Sequence, residues 1–204
     1  MTHATSAVDT LCGAYPPPRI PVPCVTSRLE LRPFREEDIE RFSGFMADRE
    51  VTKFIGGAKS LEAAADSVRY MRDAFAGRGW GTLAVVQRHD NVCIGYCGVR
   101  PLPNTPHVEL AFALDRVSWN CGYATEASEA SLDLAFRYLA IDSVVATVYP
   151  DNRASIRVLT KLGMSLQGTI FGVWPRNAAL LYRLERSAWR TPNPRANGGP
   201  SSGT

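Results

Sequence analysis

The stretch SWNCGYATEA, residues 118–127, holds few acids or bases, yet its residue types suit one kind of chemistry. A helix-like run starts at Gly122, directly after an apolar strand-like run. The first turn of a helix has unpaired N–H groups and the positive end of the helix dipole. Such a terminus binds phosphate without a charged side chain. Gly122 has no Cβ to hold an anion away, and Ala124 is nearly as small. An ordinary strand-to-helix junction with a convenient glycine explains the same residues, because a lone Gly-x-Ala is a weak pattern.

Other chemistry-bearing residues are scattered. Glu109 is a carboxylate in the otherwise apolar run HVELAFALD (107–115), with His107 two residues back on the same face. Such a glutamate is either a functional charge or the outward side chain of an alternating strand. Arg153, Arg157 and Lys161 recur at i+4, which makes one helix face basic. Cys121 sits at the helix entry, where a thiol can be activated. His89, Cys93 and Cys97 have metal-like spacing. On a strand, however, Cys93 and Cys97 lie about 13 Å apart, too far to share one zinc at bonds of about 2.3 Å. No metal is expected.

These residues need elements to position them. RLELRPF (28–34) alternates as a half-buried strand, and residues 35–48 carry Ile39, Phe42 and Met46 at helical spacing. Ser60 caps a second helix with the stripe Leu61, Ala65, Val68, Met71 and Phe75, stopped by Gly77 and Gly79. Three strands follow at 80–87, 92–100 and 107–115, joined by short links and therefore antiparallel. A helix at 122–139 has one narrow polar stripe: Glu126, Glu129, Asp133 and Arg137. SVVATVY (143–149) is apolar on both faces, as in a central strand. A helix at 153–162 and strands near 164–172 and 178–187 complete the chain. The order indicates a mixed α/β fold in one layered domain. Its body is 27–190, with a Pro-rich N-terminal arm at 1–26 and a tail at 191–204, both read as disordered.

Composition narrows the function. The chain has 204 residues, 45% hydrophobic, with a net charge of +3 and five cysteines. No apolar run approaches the roughly 20 residues of a spanning helix. No basic run suggests a nucleic-acid arm, no secretory leader is seen, and a cytoplasmic location is expected. An odd cysteine count without framework spacing argues against a disulfide scaffold. A Walker lysine and a Gly-x-Gly-x-x-Gly run are both missing, which disfavours other nucleotide binders.

Three segments in order resemble one family. FALDRVSWNCGYATEA is similar to the acyl-CoA-binding motif of the GNAT superfamily of N-acetyltransferases, [Gln/Arg]-x-x-Gly-x-[Gly/Ala], with Trp119 in the Gln/Arg position. TSRLELRPFREEDIERF and PDNRASIRVLTKLGM resemble segments of its ribosomal-protein N-terminal acetyltransferase (RimJ/RimL-like) branch. The likeness covers about 26–187. It implies a mostly antiparallel sheet of about seven strands, with one splayed cofactor-binding strand and about four flanking helices.

The resemblance also implies roles. The strand groups that pair with pantetheine map to Phe112, Ala113 and Leu114. The diphosphate loop maps to Trp119, Asn120, Cys121, Gly122, Tyr123, Ala124 and Thr125. Asn152 matches an Asn that bonds pantetheine, although it is also a good N-cap. Ser155, one turn on, faces the cofactor or solvent. Glu109 becomes the candidate general base, with His107 as runner-up or relay. Leu159 stands where many relatives carry a Tyr acid, and Gln167-Gly168 where this branch commonly has Glu-Gly. The implied reaction is acetyl transfer from acetyl-CoA, without a metal, to a primary amine: a protein N-terminus or a small molecule. A homodimer is an open assembly state. A non-catalytic acyl-CoA-binding module of the same fold is the alternative. Trp80, Trp174, Arg176 and Tyr182 are candidate walls of the acceptor site, or core residues.

Overall fold

The computed structural model describes residues 19–173 and 178–190. Its elements are β1 (Cys24–Val25), β2 (Leu29–Arg32), α1 (Asp38–Ala47), α2 (Arg49–Thr52), α3 (Leu61–Arg78), β3 (Thr82–Gln87), β4 (Cys93–Pro101), β5 (Val108–Leu114), α4 (Tyr123–Tyr138), β6 (Ser143–Val148), α5 (Arg153–Lys161), β7 (Ser165–Phe171) and β8 (Ala178–Glu185). One eight-stranded sheet runs β1-β2-β3-β4-β5-β6-β8-β7. The mixed α/β fold is as expected. The eighth strand and the fifth helix are the short β1 and α2.

Alternation along the strands sorts their side chains onto two faces. Leu29, Leu31, Leu83, Val85, Val99, Leu110, Leu114, Val144 and Val148 pack with α4 residues such as Leu132, Ala135 and Phe136. Phe34, Phe42, Phe45, Met46, Val68, Ala84 and Val86 form the second cluster, under α1–α3. Fully burying such a side chain stabilises by about 1.5–3 kcal/mol. Trp80 and Tyr182, expected as alternatives at the acceptor wall, belong to the first cluster. Trp174 and Arg176 lie outside the described residues, as do residues 1–18 and 191–204.

The cysteine spacing has a different outcome from a regular strand. The β3–β4 register passes from Val85↔Gly95 to Val86↔Cys93, so Ile94 is an extra residue. This bulge sends Cys97 to the first cluster and Cys93 to the second. Burial pushes both thiols up to about 11.

The fold also starts before the expected boundary at 27. Ile20 is buried, its N–H donates to Gly79 O at 2.9 Å, and Cys24–Val25 pair with Leu31–Glu30. Prolines at 16–18, 21 and 23 suggest a loose arm, but Ile20 is buried in the first cluster and Val22 and Cys24 pack against it.

Candidate active site

The site is built where the sheet divides. β5 and β6 are parallel and meet at one residue pair, Glu109↔Val145; β6 then pairs fully with β8. Beyond Glu109 the two strands form a fork. The direction of the β5 main chain follows from two contacts. Asp115 N–H donates to Ile94 O at 2.8 Å, and a Cβ on Gly95 would meet Ala113 O at 2.1 Å. Asp115 and Ala113 therefore turn their backbone to β4. By alternation, Phe112 and Leu114 turn theirs to the fork. Of the three strand residues assigned to pantetheine, Ala113 lines the cleft but spends its main chain on the sheet. Gly95 is required by this close approach, since any Cβ there would strike the neighbouring strand.

The link from β5 to α4 is held at several points. Buried Asp115 accepts from Ser118 N–H at 3.1 Å and is ion-paired with Arg41. The Trp119 indole N–H donates to Leu114 O at 2.8 Å, so this residue ties the loop to the end of β5. Asn120 and Gly122 both adopt left-handed backbone, φ 61 and 81. The first intrahelical bond of α4 runs from Glu126 N–H to Gly122 O at 3.1 Å. The N–H groups of Tyr123, Ala124 and Thr125 are left without a helical acceptor. The need for glycine at 122 thus has another cause than anion clearance. Its conformation is left-handed, and a Cβ would sit 3.3 Å from Arg28 Nη2.

A cleft follows this path. Its outer part, about 540 Å³, is lined by Phe112–Leu114, Trp119, Asn120, Gly122–Thr125, Asn152, Ser155 and the basic α5 residues Arg153, Arg157 and Lys161. Cys121 is exposed and is not among the lining residues; its carbonyl is turned to Arg28 at 2.8 Å. The inner part, only about 70 Å³, is lined by Glu109, Arg100, Tyr96, Thr147, Tyr149 and Leu159 among others. Phe54, Ile55, Phe112, Asn152 and Ser155 line both, so the two parts adjoin.

Glu109 is 2% exposed, which excludes the outward-facing alternative. Its carboxylate accepts from Arg100 Nε at 3.2 Å and from Thr147 Oγ1. Burial opposes the Arg100 charge, but Glu109 outweighs it and the guanidinium pKa is raised. His107 is half-buried just before β5, and burial followed by the Arg183 charge lowers its pKa. Asn152 Oδ1 caps α5 by accepting from Ser155 N–H at 3.1 Å, which leaves its amide NH₂ for other use. Sequence reasoning missed Arg100, Thr147, Tyr149, and Phe54 and Ile55 after α2. Of these, only α2 had a local sign, the Asp48 cap whose carboxylate accepts from Glu50 N–H at 2.9 Å.

Residues 28–165 match the Acetyltransferase (GNAT) domain family. The chain belongs to the GNAT acetyltransferase family. It is similar to the uncharacterized protein YkkB of Bacillus subtilis, 30% identical over 149 residues, 72% of this chain and 87% of that protein. Among solved structures, an acetyltransferase from Agrobacterium tumefaciens is 29% identical with a TM-score of 0.71, covering 81% of this chain and 95% of its own. RimL, a ribosomal-protein acetyltransferase solved in complex with coenzyme A, has the same fold at 17% identity and a TM-score of 0.67, covering 82% and 99%. The GNAT family is thereby established, and the ribosomal-protein acetyltransferase shares its fold. Acetyl transfer is the general reaction of the family.

Proposed function

We propose that this GNAT protein transfers acetyl from acetyl-CoA to a primary amine, either a protein N-terminus or a small molecule. The observation that carries this reading is one cleft along the open edge of β5 and the first turn of α4, adjoining the pocket that holds buried Glu109. The residues suit such a donor. Phe112 and Leu114 offer strand-like pairing to an extended amide-bearing arm. The N–H groups of residues 123–125 suit a diphosphate. The Asn152 amide is free of its capping oxygen.

The neutral amine nitrogen bonds the carbonyl carbon of the donor's thioester to give a tetrahedral oxyanion, which collapses by breaking the C–S bond and releasing CoA as a thiolate that is then protonated. This chain's part is to take a proton and hold charge. Glu109, aimed by Arg100 and Thr147, accepts the ammonium proton directly or through water. A strand N–H at the fork stabilises the oxyanion. The non-catalytic alternative rests on Leu159 replacing a Tyr acid. Tyr96, Tyr149 and Ser155 line the same cleft, so hydroxyl groups remain within it. Direct transfer needs no nucleophile, and the position of Cys121 off the cleft lining supports that route.

Melting with acetyl-CoA, ATP or NAD tests the donor: only acetyl-CoA should raise the melting temperature. Thiol release with a panel of peptides and small amines tests the reaction. Stabilisation without release on any amine would favour the binding module. A shift with ATP or NAD instead would overturn both readings.

A further inference from the structure

We infer that Arg28 is a positioning residue for the donor's diphosphate, bracing the loop 119–123 from behind the cleft. The inference rests on the acetyl-CoA reading of that cleft. Arg28 does not line the cleft itself, so any effect passes through the loop. Its Nη1 donates to Cys121 O at 2.8 Å, and its guanidinium lies 4.5 Å from the Tyr123 ring centroid. The guanidinium is aimed by Glu126, which accepts from Nε at 2.7 Å and pairs with Nη2 at 2.7 Å. The same carboxylate accepts from Thr26 Oγ1 at 2.6 Å, Ser27 Oγ at 3.0 Å and Arg28 N–H at 2.9 Å.

Local structure alone does not account for these contacts. The 26–28 turn is already held by Arg88 Nη1, which donates to Thr26 O and Ser27 O at 2.9 and 3.0 Å, and by the bond from Thr26 N–H to Leu29 O at 2.8 Å. The Arg28 side chain is therefore spare to the turn. What it contacts is a loop with two left-handed residues, Asn120 and Gly122, one apart. Asn and Gly adopt that backbone readily but not exclusively, so contacts from outside the loop are what fix it. Holding Cys121 O and the Tyr123 ring fixes the residues on either side of Gly122. This orients the first-turn N–H groups before any ligand arrives, which lowers the ordering cost of binding. Only a planar fork can serve Glu126, the carbonyl and the ring at once; an ammonium cannot.

The test compares two donors by calorimetry, acetyl-CoA and acetyl-pantetheine, which keeps the thioester and lacks the diphosphate. Arg28→Ala and Arg28→Lys should both weaken acetyl-CoA binding on the order of tenfold, the scale of one charge-assisted contact. Affinity for acetyl-pantetheine should stay within about twofold of the unmodified protein. Glu126→Gln, which keeps the shape but loosens the aim, should show the same donor-selective pattern and covers the case of an unstable Arg28 variant. Equal losses with both donors would assign Arg28 a general structural role and overturn the inference. Unchanged acetyl-CoA affinity in Arg28→Ala, or full rescue by Arg28→Lys, would also overturn it. Absence of acetyl-CoA binding by the unmodified protein would instead show that the donor reading has failed, and this inference with it.

Discussion

Glu109 shows how much one side chain depends on its setting. In the sequence it is a lone acid in an apolar strand; in the fold it is buried at the single β5–β6 contact. Glu109→Gln keeps the volume and removes the basicity. Turnover at neutral pH should fall about 10²–10⁴-fold, the range for a lost general base. Acetyl-CoA affinity should barely change, because the proposed donor site lies further along β5 and α4. The loss should shrink at alkaline pH, where more amine is already neutral. Equal turnover at neutral pH, with chemistry rate-limiting, would remove Glu109 from the mechanism and turn attention to His107. Gly122 carries the opposite lesson. Gly122→Ala forces a side chain into left-handed backbone beside Arg28, at a cost of about 1–2 kcal/mol. The check is the melting temperature measured without ligand.

Among the elements, α4 joins the most distant parts of the chain. Glu126 reads in the sequence as part of a polar stripe, yet it holds the 26–28 turn, 98–100 residues away. Burial works against its charge, but bonds from Thr26, Arg28 and Ser27 outweigh burial and hold the carboxyl below the usual glutamate range. The linked stability is complete above the ordinary value of about 4.3. It is lost as pH falls through the lower folded value. Melting temperatures across acid pH should therefore separate Glu126→Gln from the unmodified protein at pH 6, with the gap closing as pH falls below the ordinary glutamate range. A gap that stays constant with pH would show that the carboxylate charge is not the cause.

The same comparison shows what periodicity can convey. Strands β2–β6 and helices α1, α3, α4 and α5 are readable because their apolar spacing is regular over many residues. A two-residue β1 and a four-residue α2 carry no period. The bulge at Ile94 breaks the period-two rule that would put Cys93 and Cys97 on one face. The part of the outer cleft formed by β5 and the start of α4 is legible because it lies in one contiguous segment, 112–125. Arg100 and Thr147 are not, because their meeting with Glu109 is made by strand pairing across the sheet.

At the scale of the molecule, one sheet separates two cores, and the N-terminal segment closes the first of them. Ile20 belongs to that core although its neighbours are mostly prolines and polar residues. Ile20→Ala should destabilise by about 2–5 kcal/mol, the usual range for a buried aliphatic truncation, read from denaturant unfolding. A change below about 0.5 kcal/mol, as at an ordinary surface site, would show that the segment is only laid on the body.

The fork in the sheet also sets a clock. Amides inside a strand ladder exchange their hydrogens with solvent only when the ladder opens, whereas amides outside it exchange quickly. Alternate residues of one strand should therefore run at different speeds: Ala111 and Ala113, facing β4, slowly, and Phe112 and Leu114, facing the fork, fast. A donor lying along β5 would slow the second pair and leave the first unchanged. Deuterium uptake resolved to single residues would thus locate the donor arm without an acceptor, a turnover assay or a label. Uptake at Phe112 and Leu114 that ignores saturating acetyl-CoA would place the arm elsewhere.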